Sequence, residues 1–189
     1  MGREKLMPET VRIGLKLFLI TAIATLALAW THMITDVPIR AQVEKAATEA
    51  RQAVLPDAGE FQQMKVSSSG QYPSILEAYK GLDGSQTVGY TFKLSGKGYG
   101  GDLEIIAGIR TNGKLAGIRI LQNSETPGLG AESQKPEFYE QYSGKSASKP
   151  LENEDISAIT GATVTTHAVT NTVNTAIKYF NTELGGGKQ

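Results

Sequence analysis

The sequence predicts an α+β chain: a single N-terminal transmembrane helix, then one domain in which a twisted antiparallel sheet is flanked by helices. Three observations carry that prediction. Residues 17–34 form an apolar run without a charged side chain. Two pairs of β-type runs flank the turn pairs Asp83-Gly84 and Asn112-Gly113. Near the C-terminus, Val169, Val173, Ala176, Ile177 and Phe180 recur at the spacing of one helix face, with Asn171, Asn174 and Lys178 directed elsewhere.

The N-terminal run, with its approach over residues 11–15, meets the roughly 20 residues that a helix needs to cross a bilayer. The apolar core of a signal peptide is shorter, about 7–15 residues. Arg3, Lys5, Arg12 and Lys16 precede the run and Asp36 follows it, with Trp30 at the interfacial level. The excess of basic residues puts the N-terminus in the cytoplasm and the domain on the extracytoplasmic side of the cytoplasmic (inner) membrane. Residues 1–35 are thus the cytoplasmic N-terminus and the span. Residues 36–60 read as a helical linker: Ala, Glu, Gln and Arg dominate 38–55, with Val43, Ala46, Ala47, Ala50, Val54 and Leu55 as packing positions, until Pro56, Asp57 and Gly59 stop it. The domain covers 61–184, and the glycines after Leu184 make 185–189 a flexible tail.

Composition excludes several kinds of chemistry. Lys+Arg and Asp+Glu both number 19, so net charge argues neither for nucleic acid nor for a strongly acidic partner. There is no cysteine, so disulfides, thiolate-bound iron–sulfur clusters, thioether-linked haem and cysteinyl flavin are all ruled out. His32 and His167 alone do not build a metal site. Redox chemistry would need a cofactor held by other means.

Within the domain, runs 76–80 and 88–94 form one hairpin and runs 103–109 and 115–121 another, the second around a two-residue Asn112-Gly113 turn. Ser67-Ser68-Ser69-Gly70 reads as a loop. The segment Gly96-Lys97-Gly98-Tyr99-Gly100-Gly101 fits neither the dinucleotide fingerprint nor the P-loop, and no helix follows it, so it is read as a connection. On the short helix 136–142, Phe138, Tyr139 and Tyr142 are read as core. Lys145 and Lys149 belong to a solvated basic loop.

Two further stretches suit a ligand. Thr160-Gly161-Ala162-Thr163 lies where the C-terminal helix begins, and backbone N–H groups at a helix start are unpaired and favour a phosphate. Gly161 and Ala162 leave room for a bulky group, and Thr160 and Thr163 offer hydroxyls as donors or attachment points. A plain N-cap threonine is the competing reading. Asn123-Ser124-Glu125-Thr126-Pro127-Gly128-Leu129-Gly130 is a polar loop at a strand end, suited to wrap a ligand.

The tetrapeptide 160–163, the helix behind it and Glu125-Thr126-Pro127-Gly128-Leu129-Gly130 resemble the two signatures of the FMN-binding domains in Rnf and Na+-pumping quinone reductase complexes. With its anchor, short linker and single domain, the chain resembles the G subunits of Rnf complexes, to which the C subunits of the quinone reductases are close relatives. That resemblance implies FMN attached covalently to Thr163 through a phosphoester, with Thr160, Gly161, Ala162, Glu125, Thr126, Gly128, Leu129 and Gly130 around the cofactor. Leu129 would contact the ring face, Thr126 and the N–H groups of 128–130 the pyrimidine edge or ribityl chain, and Glu125 the ribityl hydroxyls or a loop N–H. The Gly-Tyr-Gly-Gly segment would bring its backbone near the flavin at most. Where the family commonly carries an acidic residue three positions before the motif, this chain has Ser157. The implied function is electron relay in an ion-translocating ferredoxin:NAD oxidoreductase, without stand-alone catalysis. The implied partners are other Rnf membrane subunits, especially another flavin-bearing one, and a flavin transferase for maturation. A non-redox tethered scaffold, with Thr163 an ordinary cap, is the alternative from another class.

Overall fold

The structure, a computed structural model, describes residues 8–66 and 70–185. The expected loop at 67–69, the basic residues Arg3 and Lys5, and the end of the expected tail lie outside that range. The chain divides into two compact units, one ending at Lys45 and one beginning at Ala46, a boundary inside the stretch read as linker.

Helix α1, Glu9–Val54, is continuous and includes Pro38, where a missing N–H forfeits one helical hydrogen bond. Its apolar stretch is exposed and, among the described residues, it is the helix long and apolar enough to cross a membrane. Of the packing positions expected on the linker, Ala47, Ala50, Val54 and Leu55 are buried, but Val43 and Ala46 are exposed. The helix periodicity is present there before the protein surface it serves has begun.

In the second unit, strands β1 (Glu60–Met64), β2 (Ile75–Asp83), β3 (Gln86–Lys97), β4 (Asp102–Arg110) and β5 (Leu115–Asn123) form one antiparallel sheet in the order β1-β2-β3-β4-β5. Alternation along the strands gives the sheet two buried faces. Phe92, Leu94, Ile105, Ala107 and Ile118 enter the main core, and helix α3 (Thr163–Glu183) covers them with Val169, Val173, Ala176, Ile177 and Phe180. That is the helix face expected from the spacing. On the other face, Ile106 meets Ala50 and Val54 from the end of α1. Arg51 fastens the same contact: its guanidinium donates to Glu77 at 2.8 Å and lies 3.9 Å from the centre of the Tyr79 ring.

Strand β1 was not expected. Its sequence, Glu-Phe-Gln-Gln-Met, lies at the sheet edge with little buried, so no alternation marks it. The Asn112-Gly113 connection also differs from a two-residue turn. Arg110 N donates to Lys114 O and Gly113 N to Arg110 O, with Gly113 at φ +73°, so residues 111–113 form a three-residue loop between the paired Arg110 and Lys114. A turn followed by a left-handed glycine closes such hairpins without splaying the strands. Phe138 and Tyr142 are buried in the core, and Tyr139, half-buried, packs against it with the Arg119 guanidinium 4.1 Å from its ring centre.

Candidate functional site

The site begins at the N-terminus of α3. Gly161 has φ +76°, a left-handed turn that a side chain would strain, and a Cβ there would also come within 3.0 Å of Leu129 Cδ2. The chain then reaches Ala162, which takes the N-cap position without a side chain able to cap. Thr163 is therefore the first helical residue and not the cap. The first helical amide to find a carbonyl is that of Thr166, bonded to Ala162 O at 3.1 Å. Among the described residues, the N–H groups of Thr163, Val164 and Thr165 have no acceptor.

The hydroxyls of this turn have separate tasks. Thr166 Oγ1 points inward, donating to Ala162 O at 3.2 Å and accepting from Ile159 N at 3.1 Å, which fixes the approach to the helix. Upstream, Gln141 holds Ser157 by its backbone, the Gln141 Oε1 accepting from Ser157 N at 2.7 Å. Thr163, by contrast, is exposed, and among the described residues its hydroxyl has no hydrogen-bond partner.

Beside this helix start lies a cleft of about 430 Å³, lined by Tyr99, Glu125, Thr126, Leu129, Gly130 and residues 161–165. That volume falls in the ~300–1,000 Å³ range of small-molecule sites. Among the described residues of the second unit, four large hydrophobic side chains are exposed, and three of them, Tyr99 (78%), Leu129 (42%) and Val164 (57%), line this cleft. Exposed apolar surface gathered in a concavity marks a binding site.

Of the residues expected at the site, Glu125, Thr126, Leu129, Gly130, Gly161, Ala162 and Thr163 come together here, while Thr160 and Gly128 are not among the lining residues. Val164 and Thr165 line it without having been anticipated, and Tyr99, whose segment was expected near the site by its backbone at most, lines it as well. Val164 carried a signal, being an aliphatic residue off the helix face that Val169 and Val173 define. One expected contact is redirected, and for Glu125 one of the two expected alternatives, the loop N–H, is the one found. The Leu129 N–H donates to Thr126 O at 3.1 Å and so is occupied within its own loop. Glu125 is 8% exposed and its carboxylate accepts from Tyr99 N at 2.8 Å and Gly100 N at 3.3 Å, which makes it a holder of loop N–H groups.

These features fit FMN. Free helix-start N–H groups suit its phosphate, Leu129, Val164 and Tyr99 suit a flat apolar ring, and the bare Gly161 turn leaves space between them. The fold and cleft define an FMN-binding domain, and residues 98–178 match the family described by that name.

Relatives narrow the class further. The chain is 36% identical over 188 residues to the G subunit of the Na+-translocating ferredoxin:NAD+ oxidoreductase complex of Acetobacterium woodii, covering 89% of this chain and 90% of that one. It is 30% identical over 193 residues to the G subunit of the proton-translocating ferredoxin:NAD+ oxidoreductase complex of Clostridium ljungdahlii, covering 98% and 100%. The chain belongs to the family of G subunits of ion-translocating ferredoxin:NAD+ oxidoreductase complexes. Among solved structures it is similar in fold to NqrC from Shewanella oneidensis, with a TM-score of 0.50 at 16% identity over 71% of this chain and 73% of that one.

Proposed function

We propose that this chain is the membrane-anchored electron carrier of such a complex, with FMN joined to Thr163 by a phosphoester. One observation carries the reading: at the mouth of a hydrophobic cleft, the Thr163 hydroxyl stands exposed and unbonded among the described residues, on a helix start whose first amides are free. An ordinary cap threonine would spend its hydroxyl on those amides.

In this reading each residue has a task. Thr163 Oγ1 is the tether. The N–H groups of Val164 and Thr165 receive the phosphate oxygens, where the helix dipole adds about 0.3–1 kcal/mol. Leu129 and Val164 exclude water from the ring face, and Thr126 and Gly130 border the remainder of the cleft. Bound FMN supplies one- and two-electron redox chemistry. The chain contributes position, a dry contact and a link that prevents loss of the cofactor.

The span within α1 anchors the carrier, with Arg12 and Lys16 on the cytoplasmic side and the domain on the extracytoplasmic side of the inner membrane. Its partners are the other membrane subunits of the complex, one of them flavin-bearing, and the flavin transferase that matures it.

The test is co-expression with a flavin transferase, followed by a denaturing gel viewed under ultraviolet light. Wild type and Thr165→Val should retain fluorescence in the band, and Thr163→Val should lose it. A dark wild-type band would overturn the covalent reading.

A further inference from the structure

The glycine cluster 96–101, read from sequence as a connection, meets Glu125 from several sides. Tyr99 N and Gly100 N both donate to its carboxylate, at 2.8 and 3.3 Å, and Gly98 N closes the tip by donating to Gly101 O at 2.8 Å. A Cβ added at Gly98 would run into Glu125 Oε1, one at Gly100 into Ser124 O, and one at Gly130 into Glu125 Oε2 and, at 2.7 Å, Thr165 Oγ1. The Glu125 amide donates to Asn123 Oδ1 at 3.1 Å, fixing the stem of the side chain. A nearly buried carboxylate thus sits in a cage that only glycines allow. The residue whose amide it holds, Tyr99, is highly exposed on the cleft wall.

We propose that Glu125 is a positioning residue: its carboxylate clasps the 98–101 hairpin tip, sets Tyr99 as a wall of the cleft, and does not itself bind the flavin. This rests on the reading of the cleft as the FMN site and adds a cover for the ring. The physical reason is donor–acceptor matching. Two converging N–H groups match the two oxygens of a carboxylate, and a charge-assisted pair holds a four-residue tip more firmly than a neutral one. A tip rich in glycine would otherwise sample many conformations, and an exposed aromatic on it would have no fixed place.

The test has two arms. In the unmodified full chain, amide hydrogen exchange reads the clasp. Glu125→Gln removes the charge and turns one of the two acceptor oxygens into a donor facing an N–H, so the clasp loosens and the Tyr99 and Gly100 amides should exchange about tenfold faster or more, relative to global unfolding of the same sample. Gly98→Ala, which keeps the carboxylate but pushes a methyl into it, should do the same. In the FMN-loaded chain, flavin fluorescence reads the wall, because a tyrosine or tryptophan stacked on a flavin quenches it. Tyr99→Ala should raise emission several-fold and Tyr99→Trp should keep it low. Glu125→Gln should raise it toward the Tyr99→Ala level, with no further rise in the double variant.

Unchanged exchange at Tyr99 and Gly100 in Glu125→Gln overturns the clasp. Unchanged emission in Tyr99→Ala overturns the wall, and an additive double variant makes Glu125 a direct flavin contact. A wild type that gains no FMN mass overturns the site reading itself, and the exchange arm still decides the clasp.

Discussion

The two ends of helix α3 are built to opposite specifications. In its last turns, Tyr179 stands edge-on to Tyr72 at 5.2 Å and to Phe92 at 5.7 Å, while Phe180 tilts against Tyr90 at 6.0 Å. Every large apolar side chain there is spent on packing. At the first turn, Thr163 and Val164 face solvent, the cap has no capping side chain, and three amides are free among the described residues. One end thus supplies stability, and the other forgoes it where a ligand can use the same groups. The middle joins them: Asn174 Oδ1 accepts from Leu151 N at 2.7 Å and its Nδ2 donates to Leu151 O at 2.9 Å, pinning the segment that leads into the site.

That division predicts separable phenotypes. Thr163→Val should abolish FMN attachment yet change unfolding free energy by no more than about 0.5 kcal/mol, as for surface sites generally; denaturant melts beside the mass spectrum check both. A large stability loss would mean that the first turn is structural after all. Phe180→Ala should do the reverse, costing about 3–5 kcal/mol through the cavity it leaves, while the folded fraction still accepts FMN. Asn174→Ala should cost about 1–3 kcal/mol by leaving the Leu151 amide and carbonyl unpaired in a largely buried position, seen as a lower melting midpoint.

The smallest effect belongs to Tyr142, whose hydroxyl lies 2.9 Å from that of Thr170 in the core. Burial, opposed in part by that hydrogen bond, raises its pKa above the usual 10.0. The folded state therefore keeps a proton that the unfolded chain releases. Its contribution is complete below pH 10.0 and declines as pH rises above that value toward the folded pKa. Tyr142→Phe should cost about 1 kcal/mol near neutrality and flatten the alkaline loss of stability. An unchanged alkaline slope would mean that another group sets it.

How much could be read from sequence follows from the same contrast. The packed part of α3 declared itself, because one contiguous apolar stripe can be counted without knowing its partner. The strands buried on both faces, and the turn glycines between them, were equally plain. Strand β1 was not, since an exposed edge strand needs no apolar alternation and Glu60 to Met64 offers none. In the site, the paired motifs around Glu125 and Thr163 marked two stretches that the fold brings to one cleft. The duty of Glu125 stayed ambiguous between ribityl hydroxyls and loop amides, because the partners of its carboxylate, Tyr99 and Gly100, lie 26 and 25 residues away in the chain. Only the meander, which brings the β3–β4 tip beside the end of β5, puts them together.

The central claim is that the open first turn of α3 is a covalent anchorage. It is tested most directly by the mass of the chain purified from membranes of cells that carry a flavin transferase, followed by fragmentation of the peptide containing 160–166. The account predicts one esterified FMN on each chain, localised to Thr163. A chain of bare polypeptide mass, or a flavin carried on any other residue of that peptide, would contradict it.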